Sequence, residues 1–211
     1  MPTPITILLI VLGALVAFVA FLVVRGMLFR PEAIEREKVE PVHINVDKAV
    51  SDLSEMIRCR TISDKCKENE DEAEFKRFKA LLPTLFPSVF EKCAYEDVSD
   101  RAILIRWEGR SHLNPTVLMA HYDVVSVDEQ SWERPPFSGV VENGVMWGRG
   151  TLDTKGTLNG ALQAAESLIQ TGFVPENDIY FAFSGGEEVN GKGASNIVDY
   201  FEKNYPEGQC A

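Results

Sequence analysis

Cysteine and histidine are both scarce in this chain, which has four cysteines and three histidines among its 211 residues. The cysteines are Cys59, Cys66, Cys93 and Cys210, and no two of them have the C-x-x-C spacing of a structural zinc site. We therefore expect buried or free thiols. The sequence also lacks internal repeats and low-complexity tracts, which leaves a globular domain with one core.

Basic residues are outnumbered by acidic ones, with 21 Lys and Arg against 32 Asp and Glu and a formal net charge of −11. Nucleic acids and anionic membrane surfaces are both negatively charged and would repel such a chain. We therefore expect no nucleic-acid partner. The excess of acid does not indicate a cationic substrate, because acidic surfaces mostly serve solubility.

Charged side chains are absent from residues 5–24, a run rich in Leu, Val, Ile, Ala and Phe. At about 1.5 Å per helical residue, such a run spans about 30 Å, the thickness of a bilayer core. A cleaved signal peptide is the alternative, but no Lys or Arg precedes the run and no clear small-x-small cleavage site follows it. We predict a transmembrane anchor over residues 1–30 and a juxtamembrane linker over residues 31–45.

Periodic apolar residues predict helices and strands in the rest of the chain. Residues 46–57 have helical spacing, and so do residues 75–82 until Pro83 interrupts. Residues 102–107 and 116–120 read as strands, and the second is so continuously apolar that we predict a central position for it.

The pattern continues to alternate further along the chain. Residues 140–147 predict a hairpin with an Asn143-Gly144 turn. Residues 158–169 predict a helix that ends near Gly172, and residues 179–184 predict another buried strand. This alternation indicates an α/β fold, a mixed central sheet flanked by helices.

Imidazole and carboxylate side chains follow strand-like or turn-like stretches at three points. His121 and Asp123 stand in a His-Tyr-Asp segment, Asp153 stands in Gly-Arg-Gly-Thr-Leu-Asp-Thr-Lys-Gly, and Glu187 and Glu188 follow a glycine pair. These are the ligand types that hold zinc and similar divalent ions. A separation of roughly thirty residues suits strand and helix units that return the chain to one end of a sheet. Outside this context, such a histidine is more often structural, and adjacent glutamates usually form a solvated helix start.

These segments resemble the aminoacylase/carboxypeptidase family of two-zinc metallopeptidases, which includes carboxypeptidase S, carboxypeptidase G and succinyl-diaminopimelate desuccinylase. The motifs Met-Ala-His-Tyr-Asp, Pro-Pro-Phe-Ser-Gly, Gly-Arg-Gly-Thr-Leu-Asp and Gly-Glu-Glu occur in the family's order between residues 117 and 195. The resemblance implies that residues 46–211 are the N-terminal part of a zinc-peptidase-like catalytic domain. It further implies that a lid or dimerisation domain follows, through which a homodimer could form.

The resemblance also implies a role for each residue. His121 would bind one metal ion, Asp153 would bridge two, and Glu188 would bind the second. Asp123 would hydrogen-bond the imidazole and hold its metal-binding tautomer. Glu187 would be the general base that takes a proton from a metal-activated water. We therefore expect two divalent metal ions as cofactors, with Zn²⁺ as the expected ion.

Two features qualify the match. Thr154 stands where the family usually has a second aspartate, directly after the expected bridging Asp153. The family's remaining metal ligands would lie beyond Ala211, so we expect the segment 1–211 to be inactive by itself. The family pattern also implies a cis peptide bond between Asp153 and Thr154.

The sequence therefore predicts a membrane-anchored hydrolase that cleaves the amide of a small peptide or an N-acyl amino acid. One alternative is a non-catalytic anchored module of the same fold that binds a peptide or a metal, but such a binder would not need Glu187 as a base. Another is a segment whose only function is the anchor, which leaves the ordered ligand set unexplained. Arg25, Arg30, Arg36 and Lys38 follow the span and favour a cytoplasmic C-terminal part. Anchored or secreted relatives often act outside the cytosol, so the side of the membrane stays open.

Overall fold

The structure is a computed structural model that describes residues 2–30, 43–128 and 131–204. The chain forms two compact units, Met1–Pro41 and Val42–Ala211. Most of the predicted linker, residues 31–45, lies outside the described residues.

The first unit contains one helix, α1 (Pro4–Leu28), among its described residues. The Thr3 side chain accepts a hydrogen bond from the Thr6 N–H and caps the helix start, with Pro4 in the first turn. None of its residues is buried, and its mean hydropathy reaches 3.3. The helix is long and apolar enough to cross a membrane, a property that signal sequences share.

Among its described residues, the second unit contains the three predicted helices, which cover residues 46–57, 72–85 and 155–170, and two helices that were not predicted, at residues 87–92 and 193–204. Their bounds are α2 (Val46–Ile57), α3 (Glu72–Leu85), α4 (Pro87–Lys92), α5 (Lys155–Gln170) and α6 (Gly193–Asn204). The predicted interruption at Pro83 was wrong, because α3 continues to Leu85. Pro83 lies in the last turn, and the Phe86 N–H still bonds the Leu82 carbonyl at 2.9 Å. As predicted, α5 is followed by Gly172, at φ 77°, whose N–H bonds the Ile169 carbonyl at 2.9 Å.

Four strands form a mixed sheet, which confirms the predicted fold class. They are β1 (Ala94–Val98), β2 (Ala102–Trp107), β3 (Ser111–His121) and β6 (Asn177–Ser184), in the order β1-β2-β6-β3. Strand β2 is antiparallel to both of its neighbours, whereas β3 and β6 are parallel. Strands β4 (Val141–Glu142) and β5 (Val145–Met146) form the predicted hairpin, with positive φ angles at Asn143 and Gly144.

The prediction of a central position for residues 116–120 was wrong for the described sheet. Strand β3 lies at its edge and pairs only with β6. Val117 and Met119 are 41% and 62% exposed. A continuous apolar run indicates that both faces of a strand can be covered, but it does not say which neighbours supply the cover.

The core lies on both faces of the sheet. The larger cluster joins the side chains of α2, α3, α4 and α5 to one face, and the smaller cluster joins α6 to the other. At the carboxyl end of the parallel pair, His121 of β3 lies opposite Ser184 of β6. The loops that leave these two strands therefore start side by side, which positions the candidate site.

Three cysteines lie among the described residues. Cys59 and Cys93 are buried, Cys66 is exposed, and all three are free thiols. The expectation of buried or free thiols is therefore confirmed for these three, while Cys210 lies outside the described residues.

Candidate metal centre

The structure brings the three predicted metal ligands together. His121 ends β3, Asp153 lies in the turn before α5, and Glu188 lies in a short 3₁₀ turn (Glu187–Val189) after β6. One ligand atom from each of His121, Asp153 and Glu188 lies within 4.8 Å of the other two. The His121 Nε2 and Asp153 Oδ1 atoms are 3.0 Å apart. The expected cis peptide bond between Asp153 and Thr154 is also present.

Asp123 connects the strand that carries His121 to the turn that carries the two glutamates. Its side chain is fully buried. It accepts hydrogen bonds from the Ser63 hydroxyl at 2.7 Å, the Glu187 N–H at 3.1 Å and the Glu188 N–H at 3.0 Å. Its Oδ1 also lies 3.4 Å from His121 Nδ1. One carboxylate thus holds the backbone of both glutamates and the ring of the histidine.

The imidazole of His121 is oriented for coordination through Nε2. Its Nδ1 lies 3.1 Å from the Asp123 carbonyl oxygen, which can only accept, so the Nδ1–H donates to it. This bond fixes the tautomer and leaves Nε2 facing Asp153 and Glu187, whose Oε2 is 3.7 Å away. Such a partner for the second ring nitrogen is the usual arrangement of a metal-binding histidine.

The electrostatics of this cluster suit a divalent cation. Burial lowers the pKa of His121, but hydrogen bonds and charge from Asp123 and Asp153 outweigh it and raise the pKa to about 9. Burial and the neighbouring carboxylates raise the pKa of Glu188, although His121 opposes them. Four carboxylates surround one imidazole, so a divalent cation bound in place of the imidazole proton would relieve their mutual repulsion more fully. The donor set of one imidazole and several carboxylate oxygens fits zinc or a similar ion.

Burial raises the pKa of Asp123, yet the hydrogen bonds that it accepts outweigh burial and lower it below its ordinary value. The Asp123 carboxylate is therefore a stable anion inside the fold. It keeps the imidazole charged, or keeps it ready to coordinate an ion in place of the proton.

Sequence reasoning missed the supporting role of three residues. Ser63 donates to Asp123 across 60 positions of sequence, and no local motif signals such a pairing. In the sequence, Thr154 is only a departure from the family pattern, whereas in the structure its hydroxyl bonds the backbone of His121. Lys155 is one of the residues of the Asp153 motif, and its ammonium is buried and donates to two backbone carbonyls. In the sequence, a lysine two residues after the motif aspartate is only a charge at the start of an apolar helix.

Solved structures share this architecture. Human carnosine dipeptidase 1 matches with a TM-score of 0.60 and 18% identity over 77% of this chain and 37% of its own. A metallo-carboxypeptidase of the M20 family from Sulfolobus solfataricus matches with a TM-score of 0.57 and 26% identity, over 74% of this chain and 34% of its own. The described part of the chain therefore has the fold of the class of metallopeptidases to which this carboxypeptidase belongs.

The sequence comparisons identify the family within this class. A family model described as Peptidase family M20/M25/M40 matches residues 117–209. A probable carboxypeptidase S-like 2 of Dictyostelium discoideum is 32% identical over 93% of this chain and 40% of its own. Carboxypeptidase S of Saccharomyces cerevisiae is 33% identical over 75% of this chain and 30% of its own.

N-fatty-acyl-amino acid synthase/hydrolase PM20D1 of Homo sapiens is 37% identical over 59% of this chain and 25% of its own. The chain thus carries part of a peptidase M20 family domain, and it spans at most two fifths of the length of these relatives.

Proposed function

We propose that this protein hydrolyses the amide bond of a small peptide or an N-acyl amino acid with the help of divalent metal ions, with zinc as the expected ion. The observation that carries the proposal is the convergence of His121, Asp153 and Glu188 within 4.8 Å, with Glu187 beside them. The relatives named carboxypeptidase S and N-fatty-acyl-amino acid synthase/hydrolase support this substrate class.

The candidate ligands would hold the ions through His121 Nε2 and the carboxylates of Asp153 and Glu188, and Asp153 would be shared by two ions. When bound, such ions polarise the amide carbonyl and lower the pKa of a water molecule. Asp123 contributes by holding the ring of His121 and the backbone of both glutamates, so hydrogen bonds of the fold itself support the ligand set.

Glu187 has the position that a general base needs. Its side chain is 58% exposed and its Oε2 lies 3.7 Å from His121 Nε2. A water attacking an amide held at the cluster would therefore lie within reach of this carboxylate. Glu187 would take the proton from that water and pass it to the departing amine nitrogen.

Two substitutions test this assignment in the full-length protein. Glu187→Gln removes a base but no ligand, so we expect turnover of N-acyl amino acids to be lost while the metal content stays nearly unchanged. His121→Ala removes a ligand, so both metal and turnover should be lost. Glu133→Gln, at an exposed glutamate that is not one of the candidate ligands, is the matched control and should change neither.

The measurements are the metal content of the purified protein and hydrolysis across a panel of N-acyl amino acids and dipeptides. An active Glu187→Gln variant would show that the base is assigned wrongly. A wild-type protein that binds metal but cleaves no member of the panel would favour the non-catalytic binding module instead.

We also propose that residues 1–30 anchor the protein in a membrane, that residues 31–45 link the anchor to the catalytic part, and that residues 46–211 begin the catalytic domain. Helix α1 supports the anchor, because residues 5–24 within it carry no charge and none of its residues is buried. We expect the protein to stay with membranes after alkaline carbonate extraction. Release into the supernatant, or a mature amino terminus located after Leu28, would indicate a cleaved signal sequence.

A further inference from the structure

The side chain of Thr154 makes two hydrogen bonds to the backbone of His121. Its Oγ1 accepts the His121 N–H at 2.9 Å and donates to the His121 carbonyl at 2.9 Å. Thr154 directly follows Asp153, whose Oδ1 lies 3.0 Å from His121 Nε2. Two consecutive residues therefore hold the backbone and the ring of the same histidine.

The position of His121 explains why its backbone needs such a partner. It is the last residue of β3, which forms the edge of the described sheet. The next residue, Tyr122, directs its N–H to the Ser184 carbonyl of β6 at 2.9 Å. Because backbone groups alternate along a strand, those of His121 point away from β6. The Thr154 hydroxyl supplies both of the hydrogen bonds that a neighbouring strand would otherwise make.

A helix cap is the ordinary role for a threonine at this position, and the structure argues against it. Thr154 is the N-cap residue of α5, and an N-cap threonine usually accepts a hydrogen bond from the first turn of its helix. Here the side chain makes no such bond. The hydroxyl is directed to His121 instead. An ionised aspartate at 154 could accept the N–H but could not donate to the carbonyl, so the hydroxyl serves both groups.

We propose that Thr154 is a positioning residue that holds His121 against Asp153 and thereby sets the affinity of the centre for its metal ion. The inference rests on the proposed metal-dependent function. Loss of a partner that supports a metal ligand typically lowers metal affinity by about 10- to 100-fold. We expect about a tenfold loss here, because the bond to Asp123 still orients the imidazole.

The test compares three variants of the full-length protein. Thr154→Val has nearly the same shape but no hydroxyl, and Thr154→Ser restores the hydroxyl without the methyl group. Thr171→Val is the matched control, since the Thr171 hydroxyl also bonds a backbone carbonyl, that of Leu168 at 2.7 Å, at the opposite end of α5. Metal affinity is measured by titrating the metal-free protein with Co²⁺ and following the visible absorption. The melting temperature of each metal-free variant is measured in parallel.

The proposal requires weaker Co²⁺ binding by Thr154→Val, near wild-type binding by Thr154→Ser, and unchanged binding by Thr171→Val. A Thr154→Val protein that melts earlier when metal-free but binds Co²⁺ like wild type would show a structural role only and overturn the inference. If Thr154→Val does not fold, the smaller Thr154→Ala carries the same comparison. A wild-type protein that binds no Co²⁺ would overturn the proposed function itself, which distinguishes the two failures.

Discussion

Replacing Asp123 with asparagine is the sharpest test of how the site is built. The two side chains have nearly the same shape, so packing is kept and only charge and acceptor capacity change. In the native structure Oδ1 accepts the Glu187 N–H, while Oδ2 accepts the Glu188 N–H and the Ser63 hydroxyl. Whichever way the asparagine amide is turned, its NH₂ group must face a backbone N–H at about the hydrogen-bond distance.

This geometry sets the size of the effect. One buried N–H of the glutamate turn loses its acceptor and faces another donor, which costs about 1–3 kcal/mol. The remaining bonds lose their charge assistance, and the imidazole of His121 loses its anionic partner. We therefore expect Asp123→Asn to lower the free energy of unfolding by about 3 kcal/mol, near the loss seen when one partner of a buried pair is removed. Metal affinity should fall as well, because both the histidine ring and the glutamate turn are released.

The measurement is denaturant unfolding of the detergent-solubilised protein, followed by tryptophan fluorescence, with and without Zn²⁺. Asp128→Asn is the control, because Asp128 accepts a hydrogen bond from Ser126 at 2.9 Å on the surface, where little stability is at stake. The pKa of Asp123 is lowered by folding, so its contribution is present above its ordinary pKa of about 3.9 and is lost as pH falls through the lower folded value. An Asp123→Asn protein as stable as Asp128→Asn at neutral pH would refute the reasoning.

Two further predictions concern the support around the site. Burial lowers the pKa of Lys155 to about 8, and the neutral amine still has two N–H groups for its two carbonyl partners. The free energy of unfolding of wild type relative to Lys155→Met should therefore rise by up to about 3 kcal/mol as pH increases from about 8 to about 10.4. A difference that does not change with pH in denaturant titrations would contradict this prediction. A Cβ on Gly185 would lie 2.6 Å from the Tyr122 ring, whereas one on Gly160 meets nothing within 4 Å. Thermal melts should therefore show Gly185→Ala destabilised and Gly160→Ala, within α5, stabilised by about 0.5–1 kcal/mol.

The parts of the fold that could be predicted are those with local causes. The Asn143-Gly144 turn follows from two residues that tolerate positive φ, and Gly172 ends α5 for the same reason. The place of β3 in the sheet has no local cause. Met119 would look the same in sequence at the centre or at the edge, because strand order depends on contacts between distant segments.

The residues of the candidate site also fall into those that the sequence predicts and those that only the fold reveals. Imidazole and carboxylate groups are metal ligands by residue type, so the sequence alone indicates His121 and Asp153 as candidate ligands. Ser63 and Thr154 carry hydroxyls, which are common on surfaces and in helix caps and therefore carry no signal of their own. Their roles arise only once folding brings each hydroxyl to one particular acceptor or donor.

The adjacency of Glu187 and Glu188 becomes intelligible from the turn that holds them. A 3₁₀ turn has about three residues per turn, so consecutive side chains leave it roughly 120° apart and cannot approach one ion from the same direction. The two oxygens of Asp123 each accept one of the two consecutive N–H groups, which keeps the turn from rotating. Under the proposed function, this is how one carboxylate binds a metal ion while its neighbour stays free to accept a proton. Ligand and base can therefore be neighbours in sequence because a third carboxylate, behind both, fixes the backbone between them.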